Sequence, residues 1–236
     1  METWYNQLGF YNNPFSIKPA AYHDEILGYN GIVDEVLDKI RSGNILFIDG
    51  DYGTGKTAIL KRIINEFGGR KRVVYYSCNR SENGLNVGRL VDGGRSFFSR
   101  VFGVKAKNRI LLLDEVQDLS KDDCEALHQS FNDKAFKSIV LVSKEFRKVT
   151  FGNGFKDLIG GNVIRMKKFN NDESVKFIRK RMGNLKIISD SAIQLLNKKA
   201  DGNPRKLLKS CEEVCKYAVD NFEEEVNEEI VKKVLG

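Results

Sequence analysis

NILFIDGDYGTGKTAI, residues Asn44–Ile59, reads as a buried strand, a glycine-rich turn and the start of a helix. Ile45-Leu46-Phe47-Ile48 is the short continuous apolar run expected of a parallel strand covered on both faces. Gly50-Asp51-Tyr52-Gly53-Thr54-Gly55-Lys56-Thr57 follows with the spacing G-x-x-x-x-G-K-T, and a helical pattern begins at once with Ala58 and Ile59. In that setting the glycines let backbone N–H groups turn inward around phosphate oxygens, and the helix N-terminus adds positive potential. Lys56 is placed to reach the β- and γ-phosphates, and the Thr57 hydroxyl to ligate Mg²⁺. A turn that merely joins strand to helix is the plain alternative; strand, loop, Lys-Thr and helix together argue against it. The stretch Gly50–Ala58 predicts binding of a nucleoside triphosphate.

The second informative stretch is Arg109–Ser120, RILLLDEVQDLS. Its apolar residues predict a buried strand that delivers Asp114 and Glu115 to the carboxyl end of the sheet, where ligands collect in open α/β folds. Asp114 then suits the Mg²⁺ shell, and Glu115 suits a general base that polarises the attacking water. An acidic turn after a strand is common by itself. Following a phosphate loop, it reads as the hydrolytic half of one site.

Further strands are expected at Val73–Ser77, Ser138–Ser143 and Val163–Met166, which makes five. Their alternation with helical segments predicts an α/β fold: a P-loop nucleotide-binding domain with a parallel five-stranded sheet and helices on both faces. Ile26–Ile40 has helical spacing, stopped by Gly43. Leu8–Tyr22, aromatic-rich and broken by Pro14 and Pro19, reads as an extended segment on the domain surface. Between Asn79 and Gly103 glycines weaken the pattern, and only a short apolar helix near Phe97–Phe102 is expected in a partner-facing region. From Asn170 onward everything reads as helix. Asn171 and Ser189 are expected caps, and Asn203-Pro204 is expected to open the most amphipathic helix. The expected division is therefore 1–168, nucleotide-binding, and 169–236, a small all-helical lid.

Composition is that of a soluble globular chain, with no apolar run near the ~20 residues of a membrane span. The start METWYNQLGF lacks a basic region followed by an apolar one, so no signal peptide or membrane association is expected and the default compartment is the cytoplasm. There the four cysteines are expected to be reduced. Cys211 and Cys215 stand at helical spacing with no further Cys or His to complete a metal site. The net charge of +7 is uneven: Ile164–Lys209 holds 13 basic against 4 acidic residues, and Ser210–Gly236 holds 3 against 8. A basic segment followed by an acidic tail suggests an anionic partner for the former, or else the solvated face of mixed helices.

The order of these motifs resembles the AAA+ ATPases, and within them the ExeA-type secretion and TniB/MuB-type transposition ATPases; origin-recognition initiators are a more distant relation. LGFYNNPFSIKP is similar to that branch's N-terminal segment, GDYGTGKT to its Walker A loop, LLLDEVQDLS to its Walker B, IVLVSKEF to its sensor-1 strand and ADGNPRKLLKSC to its sensor-2 helix. The resemblance implies ATP and Mg²⁺ as ligands, with Lys56 and Thr57 on phosphate and metal, Asp114 on the metal and Glu115 as base. It implies Arg205 as sensor 2 on the γ-phosphate. Ser143 falls at sensor 1, where the branch more often has a longer amide side chain. The arginine that such proteins lend to a neighbouring subunit usually precedes the last strand; here that position reads Gly160-Gly161-Asn162. Arg147 and Arg165 are the alternatives. Such an arginine is worth ~10³–10⁵ in rate, so slow or partner-dependent turnover is expected.

Three functions compete. The leading one is an ATP-hydrolysing switch or motor in a DNA transaction, acting as a homo-oligomer or beside a protein partner. Its DNA contacts would come from Lys167, Lys168, Arg179, Lys180, Arg181 and Lys186, and would be independent of sequence and sensitive to salt. No winged-helix pattern follows the lid, so base-specific readout is not expected. The second is a nucleotide-gated protein-interaction module without DNA affinity. A small-molecule phosphotransferase explains neither Glu115 beside Asp114 nor the lid with Arg205.

Overall fold

The computed structural model describes residues 3–18, 28–68, 72–80, 85–92 and 108–236. The short helix expected near Phe97–Phe102, and the part of Leu8–Tyr22 beyond Lys18, lie outside the described residues. The chain divides into two compact units: residues 30–52 with 56–166, and residues 1–29 with 53–55 and 167–236.

The first of these is built on a sheet of five parallel strands: β1 (Ile45–Asp49), β2 (Val73–Ser77), β3 (Arg109–Asp114), β4 (Phe136–Ser143) and β5 (Val163–Arg165), in the order β2-β3-β4-β1-β5. β1, β3 and β4 read as unbroken apolar runs because both faces are covered. Ile45, Phe47, Leu111, Leu113, Ile139 and Leu141 share one core with Cys124, Leu127, Phe155 and Ile159. Those partners come from the helices Lys121–Asn132 and Asn153–Ile159. Alternate residues Leu46, Ile48, Val140 and Val142 are equally buried, and the helix Asn30–Arg41 packs on β1 and β4 with Val33, Val36, Leu37 and Ile40 buried. The register fixes the functional edge. Asp49 pairs with Ser143, Ser77 with Asp114, and Asp114 with Val142, so the ends of these four strands finish within one residue of one another.

The other unit is helical. We name its elements α1 (Trp4–Gln7), α2 (Asn171–Met182), α3 (Asp190–Lys199), α4 (Pro204–Asp220) and α5 (Glu228–Leu235). The cap of α2 is Asn170 rather than Asn171: Asn170 accepts from the Glu173 N–H while the Glu173 carboxylate accepts from the Asn170 N–H, a reciprocal box that only this frame allows. Ser189 caps α3, and Asn203 caps α4 with Pro204 at its first position, as the sequence pattern predicts. Among the described residues, the N-terminal segment is not an extended surface strand. Phe15 is fully buried, Trp4 stacks on it at 6.2 Å, and α1 packs on α4. Arg181 holds the segment from α2, with Nη1 donating to Pro14 O at 3.1 Å and to Ser16 O at 3.0 Å. Large aromatic side chains favour burial over an exposed course, which the prolines alone do not reveal.

Candidate nucleotide-hydrolysing site

The phosphate loop joins β1 to the helix Lys56–Glu66, and Gly53 and Gly55 sit at φ +88° and +97°, conformations that a side chain would resist. Lys56 opens that helix. Its Nζ donates to the Gly50 and Asp51 carbonyls, the latter at 2.8 Å, and so satisfies the loop's own backbone. Burial pulls the ammonium below the usual lysine range, while Asp114, Glu115, Asp51 and Asp49 pull it back. Tyr52 is exposed and Thr54 buried. Thr57 is exposed on the first turn of the helix.

Asp114 ends β3 and is 8% exposed. Burial, then the Glu115 carboxylate beside it, raises its pKa; bonds from the Glu115 N–H (3.0 Å) and Tyr75 Oη (3.3 Å) oppose the rise. Glu115 has φ 61°, which turns its side chain out of the strand line. No cluster of three Asp, Glu, His or Cys stands ready for a metal among the described residues. That donor set suits Mg²⁺, which is held by one or two carboxylates together with phosphates and waters rather than by an all-protein cage.

Two residues of the site were not singled out from sequence. Asn79, just beyond β2, donates through Nδ2 to Glu115 Oε2 at 2.7 Å. Gln117 donates through Nε2 to Asn79 Oδ1 at 2.9 Å and lies 3.4 Å from Glu115 Oε2. Ser143, 3% exposed, donates to Gln117 Oε1 at 3.3 Å. β2 is the sheet edge, and β4 separates β3 from β1. Asn79 therefore holds Glu115 toward the side of β3 away from the phosphate loop. The signal in the sequence was a polar residue two positions past a strand, which means little until the β2–β3 register is known.

Arg205 lies in the helical unit, half-buried at the start of α4, where its N–H bonds to Asn203 Oδ1 at 3.1 Å and to Gly53 O at 3.3 Å. Arg165 lies 3.5 Å from Asp49 in its own subunit, and Arg147 is exposed in the turn Phe146–Lys148. The basic residues of the lid divide. Lys168 bonds Asp201, Arg179 bonds Asp190 and the Ile188 carbonyl, and Arg181 holds the N-terminal segment. Lys167, Lys180 and Lys186 are exposed.

Sheet order, phosphate loop and the Asp-Glu pair define a P-loop nucleotide-binding fold of the AAA+ type. Residues 39–148 match the family described as the AAA domain, dynein-related subfamily. An uncharacterized helix-turn-helix-type transcriptional regulator of Methanocaldococcus jannaschii is 25% identical over 223 residues; the match covers 85% of this chain and 51% of that protein, so the chain spans about half its length. Among solved structures, Cdc6p from Pyrobaculum aerophilum aligns over 94% of this chain and 69% of its own, with TM-score 0.67 and 15% identity. The Aeropyrum pernix ORC1 protein, solved in complex with DNA, aligns over 95% and 69% with TM-score 0.68 and 16% identity. The RuvB Holliday junction branch migration motor of Thermotoga maritima aligns over 89% and 69% with TM-score 0.64 and 19% identity. At these identities the likeness concerns the fold. Among the described residues no helix is long and apolar enough to cross a membrane.

Proposed function

We propose that this protein binds and hydrolyses ATP and works as a nucleotide-dependent switch or motor in a DNA transaction. The observation that carries the hydrolytic part is Glu115, held in place by Asn79 beside a buried Asp114. In this reading Gly50–Ala58 cradles the phosphates with Lys56, Thr57 and Asp114 hold Mg²⁺, Glu115 takes a proton from the attacking water, and Ser143 and Arg205 sense the nucleotide. Mg²⁺ supplies charge neutralisation on the phosphates. Residues 169–236 act as the lid and 1–168 as the nucleotide-binding part, in a cytoplasmic protein. A homo-oligomer completes the site, with Arg147 the arginine not engaged as Arg165 is. Membership of the ExeA/TniB-type branch belongs to the same proposal.

Support for DNA comes from the structural relatives, an ORC1 protein in complex with DNA and a Holliday junction branch migration motor, and from exposed Lys167, Lys180 and Lys186. Mg²⁺-dependent ATP hydrolysis measured with and without duplex DNA across a salt series tests it. Expected are hydrolysis abolished in Glu115→Gln and DNA binding that weakens steeply with salt and changes with nucleotide. DNA affinity indifferent to both removes the DNA reading.

The second reading, a nucleotide-gated protein-interaction module, is favoured by the engagement of Lys168, Arg179 and Arg181 within the fold, which leaves fewer cations for phosphates. A protein partner released or captured with ATP, in the absence of DNA affinity, selects it.

A further inference from the structure

The polar side chains at the carboxyl ends of β2, β3 and β4 form a chain in which every donor points the same way. Its polarity is forced. An ionised Glu115 accepts and cannot donate, so Asn79 must present Nδ2 to it, and Asn79 Oδ1 is left to accept. Gln117 meets that oxygen with Nε2, which turns its own Oε1 outward, and Ser143 Oγ donates there. Glu115 Oε2 is thereby approached by two amides, at 2.7 Å from Asn79 and 3.4 Å from Gln117.

We propose that Gln117 is a positioning residue for Glu115, and that it joins Ser143 to Glu115 as one composite sensor. Ser143 touches Gln117 at one end of the chain, and Gln117 touches Glu115 and its holder Asn79 at the other. The inference rests on the reading of Glu115 as the base in ATP hydrolysis. Ser143 has one hydroxyl hydrogen. It cannot be given to Gln117 and to a phosphate oxygen at once, so a nucleotide that takes it leaves Gln117 Oε1 without its donor. The Gln117 amide then loses its fixed orientation, and Glu115 keeps only Asn79 on the side of β3 remote from the phosphate loop. Arrival of substrate at β4 is converted into a looser hold on the base at β3. Gln117 acts through Glu115 and touches no reacting atom.

Two measurements test the proposal. Gln117 is exposed, so Gln117→Met removes the amide while leaving the fold and the side-chain length. In steady-state ATP hydrolysis it is expected to raise kcat ~2–10-fold, the range that one net hydrogen bond spans, with KM for ATP held within about twofold. The effect of Ser143→Ala on kcat should differ by a similar factor between the wild-type and Gln117→Met backgrounds. Multiplicative effects with a coupling factor of one overturn the proposal, as does an unchanged kcat in Gln117→Met. The second measurement needs no turnover: in ¹H–¹⁵N spectra, Ser143→Ala should shift the side-chain amide of Asn79, two hydrogen bonds away, and Gln117→Met should cut that transmission. An Asn79 amide that ignores Ser143→Ala overturns the relay. If that amide moves but the wild type hydrolyses ATP no faster than Glu115→Gln, the hydrolytic reading fails while the relay stands.

Discussion

Gly202→Ala should destabilise the helical unit. Gly202 has φ +66° and follows α3, and its carbonyl accepts from the Phe169 N–H at 2.9 Å. A Cβ there would lie 2.8 Å from Lys168 Cβ, 2.9 Å from Phe169 O and 3.2 Å from Phe169 N. The lysine stem can yield, but the backbone cannot easily do so, because Phe169 O is also held by Asn197 Nδ2 at 3.1 Å. The left-handed conformation costs a side chain ~1–2 kcal/mol, and overpacking against backbone adds ~1–3 kcal/mol. Loss of glycine's freedom in the unfolded chain returns ~0.4–1 kcal/mol. The net is about 1–4 kcal/mol, and at ~2–4 °C per kcal/mol for a chain of this size the melting temperature should fall by about 3–15 °C. Thermal unfolding followed by circular dichroism measures it. Gly31→Ala is the control: it is helical and has nothing within 4 Å of an added Cβ, so it should gain ~0.5–1 kcal/mol. A Gly202→Ala protein melting within 1 °C or so of wild type would refute the steric reasoning, since that is below ~0.5 kcal/mol.

Asp114→Asn should remove hydrolysis yet raise stability at neutral pH. Its folded pKa is raised, chiefly by burial, so the folded state binds the proton more tightly than the unfolded one. Stability falls as pH climbs from the unfolded value through the folded one, and the cost is fully present above it. The advantage of the variant in a melting series should shrink toward zero below about pH 4, near the ordinary aspartate value; a constant advantage at all pH values counts against the linkage. Arg181→Met loses the guanidinium over the Phe177 ring and two bonds to backbone carbonyls, each bond worth ~1.5–3 kcal/mol when the donor is charged. Limited proteolysis should then cleave near residues 14–18 well before wild type does, and equal cleavage rates would deny the strap its role. Lys56→Ala should abolish ATP binding measured with a fluorescent analogue, with secondary structure by circular dichroism unchanged.

The parts of the molecule legible in the sequence are those whose meaning is local. β1, β3 and β4 declare themselves because burial on both faces demands unbroken apolar runs, and Lys56, Asp114 and Glu115 follow those runs at fixed spacing. Asn203 and Pro204 are read at the start of α4 because a cap and a fixed φ act within one turn. Asn79 illustrates the opposite case. Its role depends on Ser77 standing beside Asp114 across 37 residues of chain, and no local pattern announces that register. Once it is fixed, residues just past the two strand ends meet, and a polar one placed there can hold Glu115.

Charge behaves in the same way. The excess of +9 over Ile164–Lys209 is a property of the sequence, but the field that a phosphate backbone would meet depends on what each cation already holds. Arg179 and Arg181, two residues apart in the basic run, are engaged respectively by Asp190 and by the carbonyls of Pro14 and Ser16. A guanidinium committed to two carbonyls cannot turn to a phosphate without releasing the segment it holds. Lys167 and Lys186 are exposed in the same run, and flexible ammonium groups of that kind bind as point charges and discriminate little between sequences. An affinity that depends on those lysines should be non-specific and lost early in a salt titration, and any sequence preference would have to enter through another surface or another protein.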